Sequence, residues 1–280
     1  MRSRLRVWYV ATTLFVLAST ASASSTALIW HGHSAFEIVT PKGAVILIDP
    51  WVSNPQNPRT AEGENPLTQF KRVDYILVTH VHFDHIGDAV TLAKQTGANL
   101  VAHLDTGIGM AKSLGYPSDQ MSGDTLGKIG EKISIAGGEV TVVLTPAAHA
   151  VTMVLKKPDD PSIVYGTLAT GLVIQIDGGP TIYHTGDSAF FEGMASINEQ
   201  YAPDVALVNL DPNYGVDPLM YAKLATTLDA EVVIPHHYGT FPVTALDPKA
   251  YADELKKVGL SVNFLEPGTR LTFEKKTLVQ

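Results

Sequence analysis

The chain has 280 residues, 45% hydrophobic and 17% charged, a balance that supplies a core and excludes a disordered polyelectrolyte. It contains no cysteine, which rules out a disulfide framework, a thiolate metal site and a cysteine nucleophile. Acidic residues outnumber basic ones 28 to 20, and that surplus repels phosphate backbones, arguing against nucleic acid as a partner and for a small-molecule substrate.

Residues 1–23 read as a cleaved leader. "MRSRLR" supplies three arginines, "VWYVATTLFVLA" is an apolar stretch of twelve, and "STASA" ends in Ala21-x-Ala23. A membrane span needs about 20 apolar residues, so export with cleavage after Ala23, to a bacterial periplasm, is expected rather than stable anchoring. Loss of Arg2, Arg4 and Arg6 leaves 17 of the 20 basic residues against 28 acidic ones, a formal charge of -11. Residues 24–280 carry no regular repeat and no low-complexity linker, which predicts a single domain.

In chain order, "ALIW", "AFEIVT", "AVILIDP" and "DYILVTH" predict strands, with a turn at Pro41-Lys42-Gly43. A helix is expected over 88–95, a strand at "NLVAH" and a second helix over 107–114. "KISIA", "EVTVVLTPA", "TGLVIQID" and "PTIYHTG" follow as strands, and the polar, proline-bearing stretch 156–167 reads as a loop at the edge of a cleft or a solvated hairpin. The last third alternates: helix over 191–200, strand "VALVNL", helix over 219–228, strand "EVVIPHH", helix over 248–258, then closing strands. Strands at both ends with helices interspersed predict an α/β sandwich, two sheets inside and helices on the outer faces.

The densest chemistry lies in "THVHFDHIGD", residues 79–88, with three histidines and two aspartates directly beyond an apolar strand. If the extended direction continues, a period of two puts His80, His82 and Asp84 on one face and turns His85 away. His80 and His82 then suit one metal, and Asp84 with His85 a second. His149 in "TPAAHA", Asp187 in "YHTGD" and His237 in "PHHYGTF" each follow a predicted strand, so their loops converge on one rim and bring the ligand number to that of a two-metal centre.

The run "THVHFDHIGD", followed by a distal histidine, "TGD" and a last histidine, resembles the metallo-beta-lactamase fold superfamily. "WHGHSAF" (30–36), "IDPW" (48–51), "IYHTGDS" (182–188) and "IPHHYGTF" (234–241) are similar to small bacterial metal-dependent hydrolases of unassigned substrate, related to ascorbate-6-phosphate lactonase. The resemblance spans essentially residues 27–273. It implies the αββα sandwich, with His80, His82 and His149 on one ion, Asp84, His85 and His237 on another, and Asp187 bridging. His237 is favoured as the ligand and His236 as its neighbour. His33 is implied near the cleft or hydrogen-bonded beneath the site, and His184 takes a structural role. The family pattern departs at "DPNYGVDPLMY" (211–221), which leaves the substrate contacts of that stretch open.

The implied activity is hydrolysis of a small ester, lactone or phosphoester by a hydroxide shared between two divalent ions, with Asp84 positioning it as the catalytic carboxylate. Zinc is the default ion for histidine and aspartate ligands, with manganese, nickel and iron compatible. Alternative readings are a non-enzymatic metal-binding or sensing protein and, at lower rank, a beta-lactam hydrolase, whose members generally lack the bridging aspartate.

Overall fold

Side chains that alternate between two buried environments build the centre of the molecule. Ile46, Ile48, Leu77 and Val101 join one apolar cluster, whereas their chain neighbours Leu47, Ile76, Val78, Leu100 and Ala102 join another. Both faces of these strands are therefore buried, which is why they read as unbroken apolar runs. The computed structural model describes residues 25–280 apart from 158–159, 167, 212–216, 258, 261 and 263. The expected leader, 1–23, lies outside the described residues.

The first sheet contains β1 (Thr26–Trp30), β2 (Phe36–Val39), β3 (Val45–Ile48), β4 (Tyr75–Val78), β5 (Asn99–His103) and β6 (Leu126–Gly127). The second begins with β7 (Lys132–Ile135) and β8 (Val140–Pro146). A hairpin of β9 (Thr152–Lys157) and β10 (Asp160–Gly166) follows, and the second sheet resumes with β11 (Thr170–Ile176), β12 (Thr181–His184), β13 (Val205–Asn209) and β14 (Val232–His236). The chain closes on β15 (Arg270–Glu274) and β16 (Thr277–Leu278), which return to the first sheet. Its order is β16-β15-β1-β2-β3-β4-β5-β6, and that of the second is β14-β13-β12-β11-β8-β7. Both are mixed: β1 to β3 pair antiparallel and β3 to β6 parallel, while β7, β8, β11 and β12 pair antiparallel and β12 to β14 parallel.

The helices are α1 (Pro58–Ala61), α2 (Phe83–Ile86), α3 (Ala89–Thr96), α4 (Leu104–Gly109), α5 (Gly193–Tyr201), α6 (Pro218–Leu228) and α7 (Pro248–Lys257). Ala89, Leu92 and Ala93 of α3 pack into the cluster that holds Leu47 and Leu100, on the outer side of the first sheet. Met194 and Ile197 of α5 and Tyr221 and Leu224 of α6 join the cluster that includes Val173, Tyr183 and Val208 of the second. The result is the expected sandwich of two mixed sheets with helices outside.

Local sequence explains the helix ends. Asp217 caps α6, its side chain accepting the Met220 N–H, with Pro218 in the first turn; α3 stops at Gly97, whose φ of 80° is left-handed. The helix expected over 107–114 starts earlier, at Leu104, because the His103 ring accepts the Asp105 N–H as a cap, and its last turn, Met110–Leu114, is π-helical. Of the stretch 156–167, read as a cleft-edge loop or a solvated hairpin, the described residues belong to the β9–β10 hairpin.

The topology sets the site. The loops that follow β1, β3, β4, β8, β12, β13 and β14 carry His33, Asp49, His80, His149, Asp187, Asp211 and His237 respectively. Side chains from both sheets thereby meet at one end of the sandwich, where loop residues are held by strands.

Candidate metal centre

Strand β4 ends at Val78, and the chain turns at once into the single helical turn α2, with His82 at its N-cap. The period of two therefore reaches His80 and His82 but not Asp84, correcting the extended reading of all three. The N–H groups of His85 and Ile86 bond to the His82 carbonyl at 3.0 and 3.2 Å, and this turn swings His85 back beneath His80, with ring centroids 4.1 Å apart. Asp84 and His85 come to face a different set of partners from His80 and His82.

His80, His82 and His149 form the first group, together with Asp187. His80 Nε2 lies 2.9 Å from His82 Nδ1, and His149 Nε2 lies 3.1 Å from the same atom. The Thr79 hydroxyl donates to Asp49 Oδ2 at 2.6 Å, so at 3.0 Å from His80 Nδ1 it accepts the ring proton, leaving the lone pair of His80 Nε2 aimed at the group. Burial holds His80 well below the ordinary imidazole range and pulls His82 and His149 down as well. Neutral imidazoles with converging lone pairs are the form in which histidine binds a metal.

His149 reaches this group because its loop is pinned to that of Asp187. Ala148 and Ala189 form an isolated bridge, in which the Ala189 N–H donates to the Ala148 carbonyl at 3.2 Å and the Ala148 N–H to Ser188 Oγ at 2.8 Å. Gly186 makes the turn possible: its φ is 57°, and a Cβ there would stand 2.9 Å from the Thr170 carbonyl.

Asp84, His85 and His237 form the second group, with His33. Asp187 Oδ2 stands between the groups, 3.1 Å from His85 Nε2, 3.2 Å from His237 Nε2, 3.6 Å from His80 Nε2 and 3.8 Å from His149 Nε2. Burial works against an ionised Asp187, but His237 and His85 outweigh it and hold the carboxyl well below its usual range. Asp84 is likewise desolvated, yet hydrogen bonds from His237 and His33 keep it a carboxylate. Burial opposes an imidazolium at His85, while Asp187 and Asp49 overcome it and push the pKa up to about 10; Asp187 raises His237 in the same way. Buried carboxylates that stay ionised and draw positive charge onto their neighbours make a place for cations.

The donor set fits divalent cations. It offers nitrogen and carboxylate oxygen from two contiguous groups, and Asp187 Oδ1 is buried with no hydrogen-bond partner among the described residues. His33, Asp49 and His237 all hold positive φ, at 50°, 43° and 71°, backbone strain that side-chain biased residues tolerate only where surroundings impose it.

His33 and His236 both sit behind the front of the site. His33 is fully buried; its Nε2 is 3.1 Å from Asp84 Oδ2 and its Nδ1 2.8 Å from Thr240 Oγ1, so it props Asp84 from beneath. His236 points the other way, with Nδ1 3.2 Å from Ser34 Oγ and its ring against His184 at 4.5 Å. His184 accepts the Gly186 N–H at Nδ1, a structural contact that supports the turn before Asp187.

Three contributors were not singled out in the sequence. Asp49 accepts from His85 Nδ1 at 2.7 Å; "IDPW" contained it, and a lone carboxylate just past a strand was the available signal. Asp211 Oδ2 lies 3.3 Å from His237 Nδ1. Asn209 lines the cleft, its buried Oδ1 without a hydrogen-bond partner among the described residues. The cleft itself, ≈ 450 Å³, opens over Asp84, His149, Asp187 and His237 and has Phe83 and Phe241 in its wall.

The Beta-lactamase superfamily domain model matches residues 45–238, the stretch that carries both groups apart from His33. The chain belongs to this superfamily. It is 39% identical over 254 residues to a UPF0173 metal-dependent hydrolase of Thermodesulfovibrio yellowstonii, covering 90% of this chain and 93% of that one. The metallo hydrolase Igni18 of Ignicoccus hospitalis aligns with a TM-score of 0.73 at 33% identity, over 89% of this chain and 99% of that one. A metallo-beta-lactamase fold protein of Bacillus subtilis, 17% identical with a TM-score of 0.62 over 89% of this chain and 100% of that one, shares the fold. The protein is a metal-dependent hydrolase of the metallo-beta-lactamase fold, with its histidine and aspartate groups at the end of the sandwich where the cleft opens.

Proposed function

We propose that this hydrolase uses two divalent cations, zinc by default, to cleave a small ester, lactone or phosphoester. His80, His82 and His149 would hold one ion, Asp84, His85 and His237 the other, with Asp187 bridging. The observation that carries this reading is the place of Asp187 Oδ2, within 3.8 Å of an Nε2 from each of His80, His85, His149 and His237. One carboxylate oxygen shared by both groups is what a bridging ligand requires.

Such a pair of cations supplies Lewis acidity, activating water and the acyl or phosphoryl oxygen under attack. The chain's own part is orientation. Asp84 borders the cleft as a carboxylate, and His33 engages its Oδ2, so it accepts a hydrogen bond from the attacking water in a fixed direction. Hydrolysis joins the water oxygen to the acyl or phosphoryl centre, breaks the bond to the leaving oxygen and delivers one water proton to that oxygen. Asp49 and Asp211 keep His85 and His237 from rotating while charge shifts.

The arginines, apolar stretch and Ala21-x-Ala23 of residues 1–23 support export with a mature start at Ser24. Intact-mass measurement of protein recovered from the producing cell tests that start, and a species keeping residues 7–18 in a membrane fraction overturns it. The hydrolytic reading is tested by loading purified protein with each metal and assaying esters, lactones, phosphodiesters and lactams. Turnover that is lost with chelator and restored by metal is expected; inactivity on the esters, lactones and phosphodiesters contradicts the reading.

A further inference from the structure

One wall of the cleft is aromatic. Phe83 stands between His82 and Asp84 in the chain, lines the cleft and is 65% exposed, the cost of placing a large apolar ring where water reaches it. Phe241, four residues beyond His237, lines the same cleft, with its ring 6.0 Å from that of Phe83. Trp51 backs both: it stacks on Phe241 at 5.5 Å with planes 16° apart and meets Phe83 edge-on at 5.7 Å. His33, which props Asp84, touches this cluster as well, 5.3 Å from Trp51 and 5.6 Å from Phe241. The rings thus form one packed unit attached to the groups that hold the centre.

The sequence makes room for that unit. Gly87 has an ordinary helical φ of -49°, so backbone conformation does not require glycine there. A Cβ on it would stand 2.5 Å from Trp51 Cδ1. The glycine at the end of "HVHFDHIG" therefore serves the seat of the indole.

The charges bordering the cleft are carboxylates and imidazoles: Asp84, Asp187 and Asp211 with His82, His149 and His237. Among the described residues none of its lining is lysine or arginine, the side chains that usually grip a phosphate or carboxylate tail. Asn209 and Thr244 add neutral polar groups. An apolar wall in a cleft whose described lining offers no lysine or arginine suits a substrate that has no charged tail to grip and carries a flat or bulky apolar group.

We propose that Phe83 and Phe241, backed by Trp51, are the specificity wall of this hydrolase, and that its substrates are neutral esters or lactones bearing an aryl or bulky alkyl group on the acyl side. This rests on the hydrolytic reading above and narrows it to substrates with an apolar group beside the bond that breaks. Water adds its oxygen to the acyl carbon, the acyl C–O bond breaks, the leaving alcohol takes one proton, and the second proton leaves from the carboxylic acid product.

The test uses the full chain reconstituted with metal and two esters sharing one leaving group, methyl acetate and methyl phenylacetate, followed by pH-stat. The phenylacetate is expected to be preferred at least about tenfold in kcat/KM, the scale set by burying a ring. Phe83→Ala should raise its KM by about tenfold while kcat and metal content hold, the split expected when a contact equal in ground and transition states is removed. Binding of uncharged, unreactive N-methyl-2-phenylacetamide, read by quenching of Trp51 emission, should weaken in parallel. Equal use of both esters, or faster turnover of bis(4-nitrophenyl) phosphate, with KM unchanged in Phe83→Ala, overturns the wall and leaves hydrolysis standing. Quenching by the amide that Phe83→Ala abolishes, with no ester, lactone or phosphodiester turned over, upholds the wall as a binding element and overturns the hydrolytic reading instead. Neither quenching nor turnover overturns both.

Discussion

Asp49 Oδ2 accepts from His85 Nδ1 at 2.7 Å and, on the same oxygen, from the Thr79 hydroxyl at 2.6 Å that in turn accepts from His80. One buried carboxylate thus orients a histidine in each of the two groups. Asp49→Asn keeps the size and tolerates the left-handed backbone, but its amide would present a donor where two donors already point. Metal affinity should fall about 10- to 100-fold, the usual cost of removing a partner of a metal-binding histidine. Competition against a chelator of known affinity reads this; an unchanged affinity would mean that Asp49 serves folding alone.

Asp187 differs from the terminal histidines because one carboxylate would lower the mutual repulsion of two ions. Two charges of +2 at about 3.5 to 4 Å repel strongly in any protein dielectric. Asp187→Asn keeps the shape and removes the charge, so loss of one ion per chain and a fall in kcat of at least about 100-fold are expected. Asp177 is exposed, 3.3 Å from Lys42 Nζ, and Asp177→Asn should leave both quantities intact. Full occupancy and normal turnover in Asp187→Asn contradict a bridging role.

The adjacent histidines 236 and 237 separate in the same way. His237 Nε2 is 3.2 Å from Asp187 Oδ2 and 3.5 Å from Asp84 Oδ2, whereas His236 packs between Ser34, Phe36 and His184. His237→Ala should cost an ion with little change in the thermal transition of the chelated protein. His236→Ala should lower that transition, as cavities in a core do, through a loss of stability on the order of 2 to 4 kcal/mol, while the metal count holds. The opposite pattern reverses the assignment.

Gly87→Ala sets two effects against each other. Helix propensity favours alanine by about 1 kcal/mol, but the new methyl meets Trp51 Cδ1 at 2.5 Å. Overpacking of this kind costs about 1 to 3 kcal/mol, so a net loss of stability is expected, relieved when Trp51→Leu is added. A rise in the melting temperature of the single variant would show that the indole moves away freely.

The sequence exposed what strand ends expose. His80, His149, Asp187 and His237 each follow an apolar run, and a loop beyond a strand is legible because the run fixes where it stops. The extended reading fails at Asp84 for a physical reason: α2 is one turn long, and four residues are too few to show a helical period. Asp49 and His85 are 36 residues apart, and Asp211 and His237 are 26 apart, separations over which no local pattern operates. Of the two readings of 156–167, the hairpin is the one that forms, with Ile163 to Gly166 pairing with Leu155 to Thr152. The aromatic wall was invisible for the same reason as Asp49, since Trp51, Phe83 and Phe241 meet only when three loops are brought to one end of the sandwich.

The most direct measurement is metal content at saturation. Purified protein dialysed against excess zinc and then against metal-free buffer, with zinc and protein quantified in the same sample, should hold two ions per chain, since seven donors with a shared carboxylate exceed what one tetrahedral ion takes. His149→Ala should reduce that to one while the Asp84, His85 and His237 group keeps its ion. Saturation at a single ion in the unaltered chain would contradict the dinuclear account.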